Sequence, residues 1–296
     1  MPSEPASETR IAHLTDIHLG LAAPLGAEWL GKRGLSGLSW RLKRHRLHRR
    51  EVAEALVADL LSQPHDLVAM SGDLINFGLA REFEAARPWL ERLGPPERVL
   101  ATPGNHDALA GPWQEAMGTH WGPYAVPGRM VRRGGVALIA VSSACVTPPF
   151  FASGRVSAGE LAHLRENLSQ ARAAGDLPIV MIHHPPTPVV SRRKGLTNRC
   201  EVSALLAEGG AALVLHGHSH RRDLSWIEAP AGRIPVLGTP SLSMTHGGTA
   251  PPGCWRLLTL RRGAGSAEVE IRDRGLSRAG RITEGTPFRL RLPILA

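Results

Sequence analysis

Short apolar runs, each closed by polar or turn-forming residues, set the rhythm of this chain. Residues 11–14 lead into Thr15-Asp16, residues 67–70 into Ser71-Gly72, and residues 99–101 into Thr102-Pro103-Gly104. Residues 136–141, 179–182 and 212–215 lead likewise into Ser142-Ser143, His183 and His216-Gly217. Runs of roughly 4–6 residues rich in Val, Ile and Leu read as buried strands. Helical spacing fills several of the gaps. Val52, Leu56 and Leu60 share one face, as do Phe83 with residues 87–90, and Leu161, Leu164 and Leu168. Residues 160–174 predict a helix that opens after Ser157 as its cap and stops near Gly175. Residues 255–271 predict two strands around a turn at 261–265, within a β-rich part that begins at about residue 234. Strands alternating with helices predict an α/β sheet fold.

Residues 21–48 break the rhythm. Leu35, Leu38 and Leu42 share a helical face, while Gly31, Gly34 and Gly37 weaken any helix there. The expectation is a basic, partly helical cap at about 21–50, inserted into a single domain spanning 10–296 after a polar tail at 1–9.

Charge sharpens that reading. The net charge is +9, and residues 29–50 hold eight Lys or Arg and no acid. Such a concentration suits an anionic partner (phosphate-bearing substrate, nucleic acid or acidic membrane surface), although a solvated basic face would look the same. Tyr and Phe are not interleaved there, which argues against sequence-specific nucleic-acid binding. No apolar run approaches the roughly 18 residues of a membrane span. The polar start has no hydrophobic stretch for a secretory signal. A cytoplasmic protein is expected, with peripheral contact to the inner membrane through the basic insert left open, as is a homodimer. Cys145, Cys200 and Cys254 form no CxxC pair, which speaks against a disulfide framework or a thiolate zinc site.

The candidate chemistry lies behind the strands. In order they are followed by Asp16-Ile17-His18, Gly72-Asp73, Gly104-Asn105-His106-Asp107, His183-His184 and Gly217-His218-Ser219-His220. In open α/β sheets the strand ends converge on one crevice, so these residues can meet there. Oxygen and imidazole donors without thiolates suit Mn, Fe, Zn, Co or Mg. A shared carboxylate can hold two such ions about 3.5–4 Å apart, the arrangement suited to phosphoryl chemistry. Any one of these short motifs is weak alone. Their joint occurrence in this order is what carries weight.

The series DxH, GD, GNHD, H and GHxH resembles that of the calcineurin-like metallophosphoesterase superfamily, over roughly residues 11–260. The resemblance implies a four-layer αββα sandwich of two mixed β-sheets with flanking helices. It implies that Asp16, His18 and His220 hold one metal ion, that Asn105, His183 and His218 hold the other, and that Asp73 bridges them. His106 is then the catalytic histidine assisting the leaving alkoxide, with Asp107 as its orienting partner. His184 and His216 are read as packing or supporting residues. The cofactors implied are two divalent ions, Mn2+ or an Fe/Mn pair, with Zn2+ also open. A hydroxide between them would hydrolyse a phosphodiester in a small phosphate-containing substrate.

Two substrates remain open. The compact order and the run His183-His184-Pro185-Pro186 resemble bacterial class III cyclic-nucleotide phosphodiesterases. The insert resembles the cap of calcineurin-like UDP-2,3-diacylglucosamine hydrolases, with Trp29, Leu30, Leu35, Leu38, Trp40 and Leu42 as an apolar cleft. Arg41, Arg44, Arg46 and Asn76 are the substrate-binding candidates. The nucleotide reading is favoured, and an inactive scaffold for protein partners is a weaker third reading because every motif position is filled.

Overall fold

The computed structural model describes residues 7–20, 26, 29, 31–246, 250–263 and 265–294. Two mixed sheets lie face to face. The first is built from β1 (Ser7–Leu14), β2 (Leu67–Met70), β3 (Val99–Ala101), β10 (Cys254–Gly263), β11 (Ser266–Leu276), β12 (Ile282–Glu284) and β13 (Phe288–Leu292). Its order is β12-β11-β10-β1-β2-β3, with β13 also paired to β11. The second is built from β4 (Met130–Arg133), β5 (Val136–Val141), β6 (Leu177–Ile182), β7 (Leu213–His216), β8 (Leu224–Ile227) and β9 (Ile234–Gly238), in the order β4-β5-β6-β7-β9-β8. The inner pairings β1–β2–β3 and β5–β6–β7–β9 are parallel, so their polar followers all emerge at one end.

The continuous apolar runs have a simple cause. Parallel strands here are covered on both faces, so successive side chains enter different cores. Ile11, Leu67, Ala69 and Leu100 meet Leu138, Ile179, Met181 and Leu215 between the sheets. Their neighbours Ala12, Leu14, Val68 and Met70 pack outward against α3 (Arg50–Ser62), α4 (Ala80–Leu93) and α5 (Trp113–Trp121). Ile139, Val141, Val180, Ile182 and Val214 face α6 (Ala158–Ala173) and α7 (Arg199–Gly209) on the other side. The result is the expected four-layer sandwich. The helix after Ser157 also forms as the spacing predicts: Ser157 Oγ accepts from the Glu160 amide at 3.2 Å, and Gly175 follows with φ 72°. Sequence patterning passed over β4, α5 and α7. β4 is a half-exposed four-residue edge strand, too short and too wet to show a clear period.

The insert is more firmly docked than its glycines suggested. α1 (Lys32–Ser39) runs into a π-helical turn, Trp40–Arg44, and then α2 (His45–Leu47). Trp29 and Trp40 pack against Phe77, Leu79 and Leu109. The Arg33 guanidinium donates to the carbonyls of Phe77, Gly78 and Ala110 at 2.9, 3.1 and 2.5 Å. At the far end His48 bridges to Met244, and the Arg49 amide donates to the Ser243 carbonyl at 2.9 Å. Among the described residues the insert's leucines do not gather into the apolar cleft expected of them. Leu38 and Leu42 are 51% and 67% exposed, and the tryptophans serve to dock the insert. Leu30 lies outside the described residues. Among the described residues no helix is long and apolar enough to cross a membrane.

Candidate metal centre

The ends of β1, β2, β3, β6 and β7 bring the five polar motifs into one crevice. The local backbone shows how. Among the described residues six non-glycine residues have positive φ, and five of them are Asp16, His18, Asp73, His218 and His220. L-residues avoid this region because Cβ crowds the backbone, and each such residue costs of order 1 kcal/mol or more. Strain collected on five predicted ligands is the mark of side chains aimed at a common centre. The glycines beside them serve the same end. A Cβ on Gly104 would collide with Asp73 and His183, and one on Gly217 would collide with Thr15 and Asp16.

Two donor groups share Asp73. In the first, His220 Nε2 lies 2.9 Å from Asp16 Oδ1 and 3.4 Å from His18 Nε2, and His18 Nε2 lies 3.9 Å from Asp73 Oδ2. In the second, His183 Nε2 lies 3.4 Å from Asp73 Oδ2 and 3.3 Å from Asn105 Oδ1. His218 is adjacent, its ring 5.2 Å from that of His183. His183 Nδ1 donates to the Ser71 carbonyl at 2.7 Å, which fixes the tautomer and leaves Nε2 facing the centre. Two tests favour cations here. Imidazole nitrogens and carboxylate oxygens converge without thiolates, and His218 Nε2 is buried with no hydrogen-bond partner.

Electrostatics tie the set together. Burial works against ionisation of Asp16 and Asp73, yet His220 holds the first and His183 holds the second below the usual carboxylate range. Burial disfavours the charged form of His183, but the Asp73 carboxylate overcomes it and raises the pKa to about 9. Burial, then the Arg44 charge, lowers His106 to about 4.

The supporting residues depart from sequence expectation in three places. Asp107 does not orient the His106 ring. Its carboxylate accepts from the amides of Gly104, Asp73 and Ile75 at 2.7, 2.8 and 3.0 Å, locking the loops after β2 and β3 together. Burial and the nearby Asp73 charge push its carboxyl up to about 8, against the pull of those amides. His106 is oriented instead by the Asn76 carbonyl, 3.0 Å from Nδ1. Asn76 is itself fully buried, with its side-chain amide donating to the Leu19 carbonyl, so it cannot reach substrate.

The three candidate arginines also separate. Arg44 enters the site, its guanidinium nitrogens 3.2 Å from His18 Nδ1 and 3.3 Å from His106 Nδ1. Burial lowers its pKa to about 10, with the charges of Asp73 and Asp16 opposing the shift. Arg41 and Arg46 are exposed, and Arg41 lies over the Trp29 ring at 5.7 Å. Only Arg44 belongs to the crevice.

His48 of the insert escaped the sequence reading, and Trp40, read there as lining an apolar cleft, has a different place. His48 is buried, with its ring 4.4 Å from that of His18 and 5.6 Å from that of His220. Ser243 Oγ holds its Nδ1 at 2.9 Å. Trp40 stacks on His48 with ring centroids 6.3 Å apart and also lies under the Arg44 guanidinium. Trp40, Arg44 and His48 thus form one face at intervals of four residues, an α-helical spacing visible in the sequence. His184 and His216 stay out of the first ring of donors. His184 is bonded through both nitrogens, to Ser143 Oγ and the Ala152 carbonyl, and His216 pairs with Asp223 at 3.0 Å.

A cleft of about 730 Å³ opens over the centre, lined by Asp73, Asn105, His106, His218 and His220, and by Arg44 from the insert. The profile described as calcineurin-like phosphoesterase matches residues 9–222. The chain belongs to that family. It is a metallophosphoesterase, a hydrolase acting on ester bonds, and the family implies a dinuclear divalent-metal site. Two curated relatives from strains of Synechococcus sp. are each described as a "probable cyclic nucleotide phosphodiesterase". Both are 29% identical, over 213 and 203 residues, covering 70% and 64% of this chain and 77% and 71% of the relatives. Two solved structures share the fold. A Danio rerio dimetal phosphatase has TM-score 0.55 at 12% identity, covering 97% of this chain and 99% of that one. A purple acid phosphatase from yellow lupin has TM-score 0.55 at 13% identity, covering 98% of this chain and 55% of that one.

Proposed function

We propose that this metallophosphoesterase hydrolyses the phosphodiester bond of a small nucleotide-type substrate such as a cyclic nucleotide. Asp16, His18 and His220 would hold one divalent ion, Asn105, His183 and His218 the other, with Asp73 between them. The observation that carries the reading is the strained, jointly buried donor set at five strand ends. The nucleotide preference is supported by the descriptions of the two Synechococcus relatives. Mn2+ or an Fe/Mn pair suits the mixed oxygen and imidazole donors.

Ions bound there supply Lewis acidity toward phosphate oxygens and lower the pKa of water. The chain supplies the rest. Arg44 presents a fork of donors beside the donor set, where nonbridging phosphate oxygens can be clamped and rotation about phosphorus restricted. His106, oriented through Nδ1 by the Asn76 carbonyl, turns Nε2 toward the reacting group. Asp107 keeps Asp73 and Asn105 in register by holding the backbone of both loops.

Chelation followed by Mn2+ addition, with elemental analysis in parallel, tests the reading. Hydrolysis of 3′,5′-cyclic AMP and of bis-p-nitrophenyl phosphate should vanish with the metal and return with it. Full turnover in metal-free protein would overturn the dinuclear reading, and turnover of the generic diester alone would overturn the nucleotide preference. Arg44→Gln should lower kcat/KM by about 10- to 150-fold, the worth of one charge-assisted hydrogen bond, with metal content unchanged. Arg44→Lys should recover only part of the loss, because an ammonium cannot reproduce the fork. Wild-type kinetics in Arg44→Gln would remove this residue from the substrate site.

A further inference from the structure

Phe150 is the sixth positive-φ non-glycine residue among those described, with φ 68°, and it holds no metal-binding group. A strained backbone away from the ligands needs a different reason. Its side chain is 81% exposed, the most of any large apolar residue described, and the next residue, Phe151, is 41% exposed. The chain has only five phenylalanines, and Phe77 and Phe83 are fully buried. Two adjacent rings spent on solvent are therefore conspicuous. Both rings line the cleft that contains the metal-binding residues.

The segment that carries them is built rather than loose. Thr147 Oγ1 donates to the Phe151 carbonyl at 2.8 Å and accepts from Lys32 Nζ at 2.5 Å. The Ala152 amide donates to the Arg193 carbonyl at 3.0 Å. The Arg193 guanidinium lies over the Phe151 ring, 5.8 Å from its centroid, and Lys194 lines the same wall. Exposed aromatic faces with a guanidinium stacked beside them make a platform for a flat, electron-rich ring. The cationic wall favours a ring that carries phosphate.

We propose that Phe150, Phe151 and Arg193 form a base-binding subsite that selects diesters bearing a purine or pyrimidine ring. The proposal rests on the phosphodiesterase reading above and deepens it. The ring stacks on the phenylalanines while the phosphate reaches the metal centre, so discrimination between nucleotide and non-nucleotide diesters arises at the cleft mouth. Stacking on an aromatic side chain contributes about 1–3 kcal/mol per base, equivalent to about a 5- to 150-fold effect.

The test compares metal-replete wild type with Phe150→Ala and Phe150→Trp, using cyclic AMP and sn-glycero-3-phosphoethanolamine, a diester without an aromatic ring. In Phe150→Ala the specificity ratio for nucleotide over glycerophosphodiester should fall by about 5- to 150-fold, carried by KM, whereas Phe150→Trp should preserve it. An unchanged ratio in Phe150→Ala would overturn the subsite. Binding of AMP by equilibrium dialysis decides the matter independently of turnover. Wild type should bind AMP about 5- to 150-fold more tightly than Phe150→Ala even if neither diester is cleaved, a result that would sink the phosphodiesterase reading and leave the subsite standing. Equal AMP affinity would sink the subsite and leave that reading untouched.

Discussion

Asp73→Asn is expected to lose both metal ions together and to reduce activity by about 10³-fold or more. The magnitude follows from the Lewis-acid contribution of a bound ion, several kcal/mol, at 1.36 kcal/mol per tenfold in rate. Asp73 faces both donor groups with a single oxygen, its Oδ2 3.4 Å from His183 Nε2 and 3.9 Å from His18 Nε2. Its other oxygen, Oδ1, accepts from the His106 amide at 2.7 Å, so a single side chain joins both donor groups and the loop that carries His106. An asparagine keeps the shape but removes the charge that two dications would share. Two measurements check this. Elemental analysis should show both ions depleted, and the rise in Tm that wild type gains on adding Mn2+ should shrink, since that rise scales with the logarithm of ligand over Kd. If Asp73→Asn retained one full equivalent of metal with wild-type affinity, the shared-carboxylate arrangement would be wrong.

Much of this centre is legible in the sequence for a local reason. Each donor follows an apolar run by one to a few residues, and a parallel strand carries its follower to the same end of the sheet. Asp16, Asp73, Asn105, His183 and His218 therefore come together without any knowledge of loop conformation. Side-chain direction inside the loops is less accessible. Asp107 and Asn76 are polar yet turn inward, because backbone amides at Gly104, Asp73 and Ile75 and the Leu19 carbonyl need partners once buried. The insert is the hardest case. Counting by α-helical spacing grouped Leu35, Leu38 and Leu42, but the same spacing groups Trp40, Arg44 and His48 on the opposite side, and it is this second face that turns to the centre. Equal arginines at 41, 44 and 46 could not be ranked until the inward face was known.

His106→Ala should leave metal content intact and lower kcat by about 10²–10⁴-fold on substrates with poor leaving groups. What holds Asp73 Oδ1 is the backbone amide of His106, which an alanine keeps. The ring sits beside His18 with centroids 4.9 Å apart and is anchored by the Asn76 carbonyl, so its removal opens space without uncoupling Asp16 or Asp73. Burial and the Arg44 guanidinium hold its pKa down to about 4, so in the free site it is neutral at pH 7. A neutral imidazole with Nδ1–H committed to a carbonyl offers Nε2 only as an acceptor. To give up a proton it must first gain one, and a bound phosphate, by adding negative charge and engaging Arg44, shifts the balance in that direction. Two signatures follow. In wild type the basic limb of kcat, which reports the complex, should disappear in His106→Ala, because a proton donor is lost as pH rises through its pKa. The loss in His106→Ala should also be small for p-nitrophenolate and large for an alkoxide, because only the poor leaving group needs the proton. Equal losses for both leaving groups, with the basic limb unchanged, would assign His106 to holding phosphate oxygens and remove it from proton transfer.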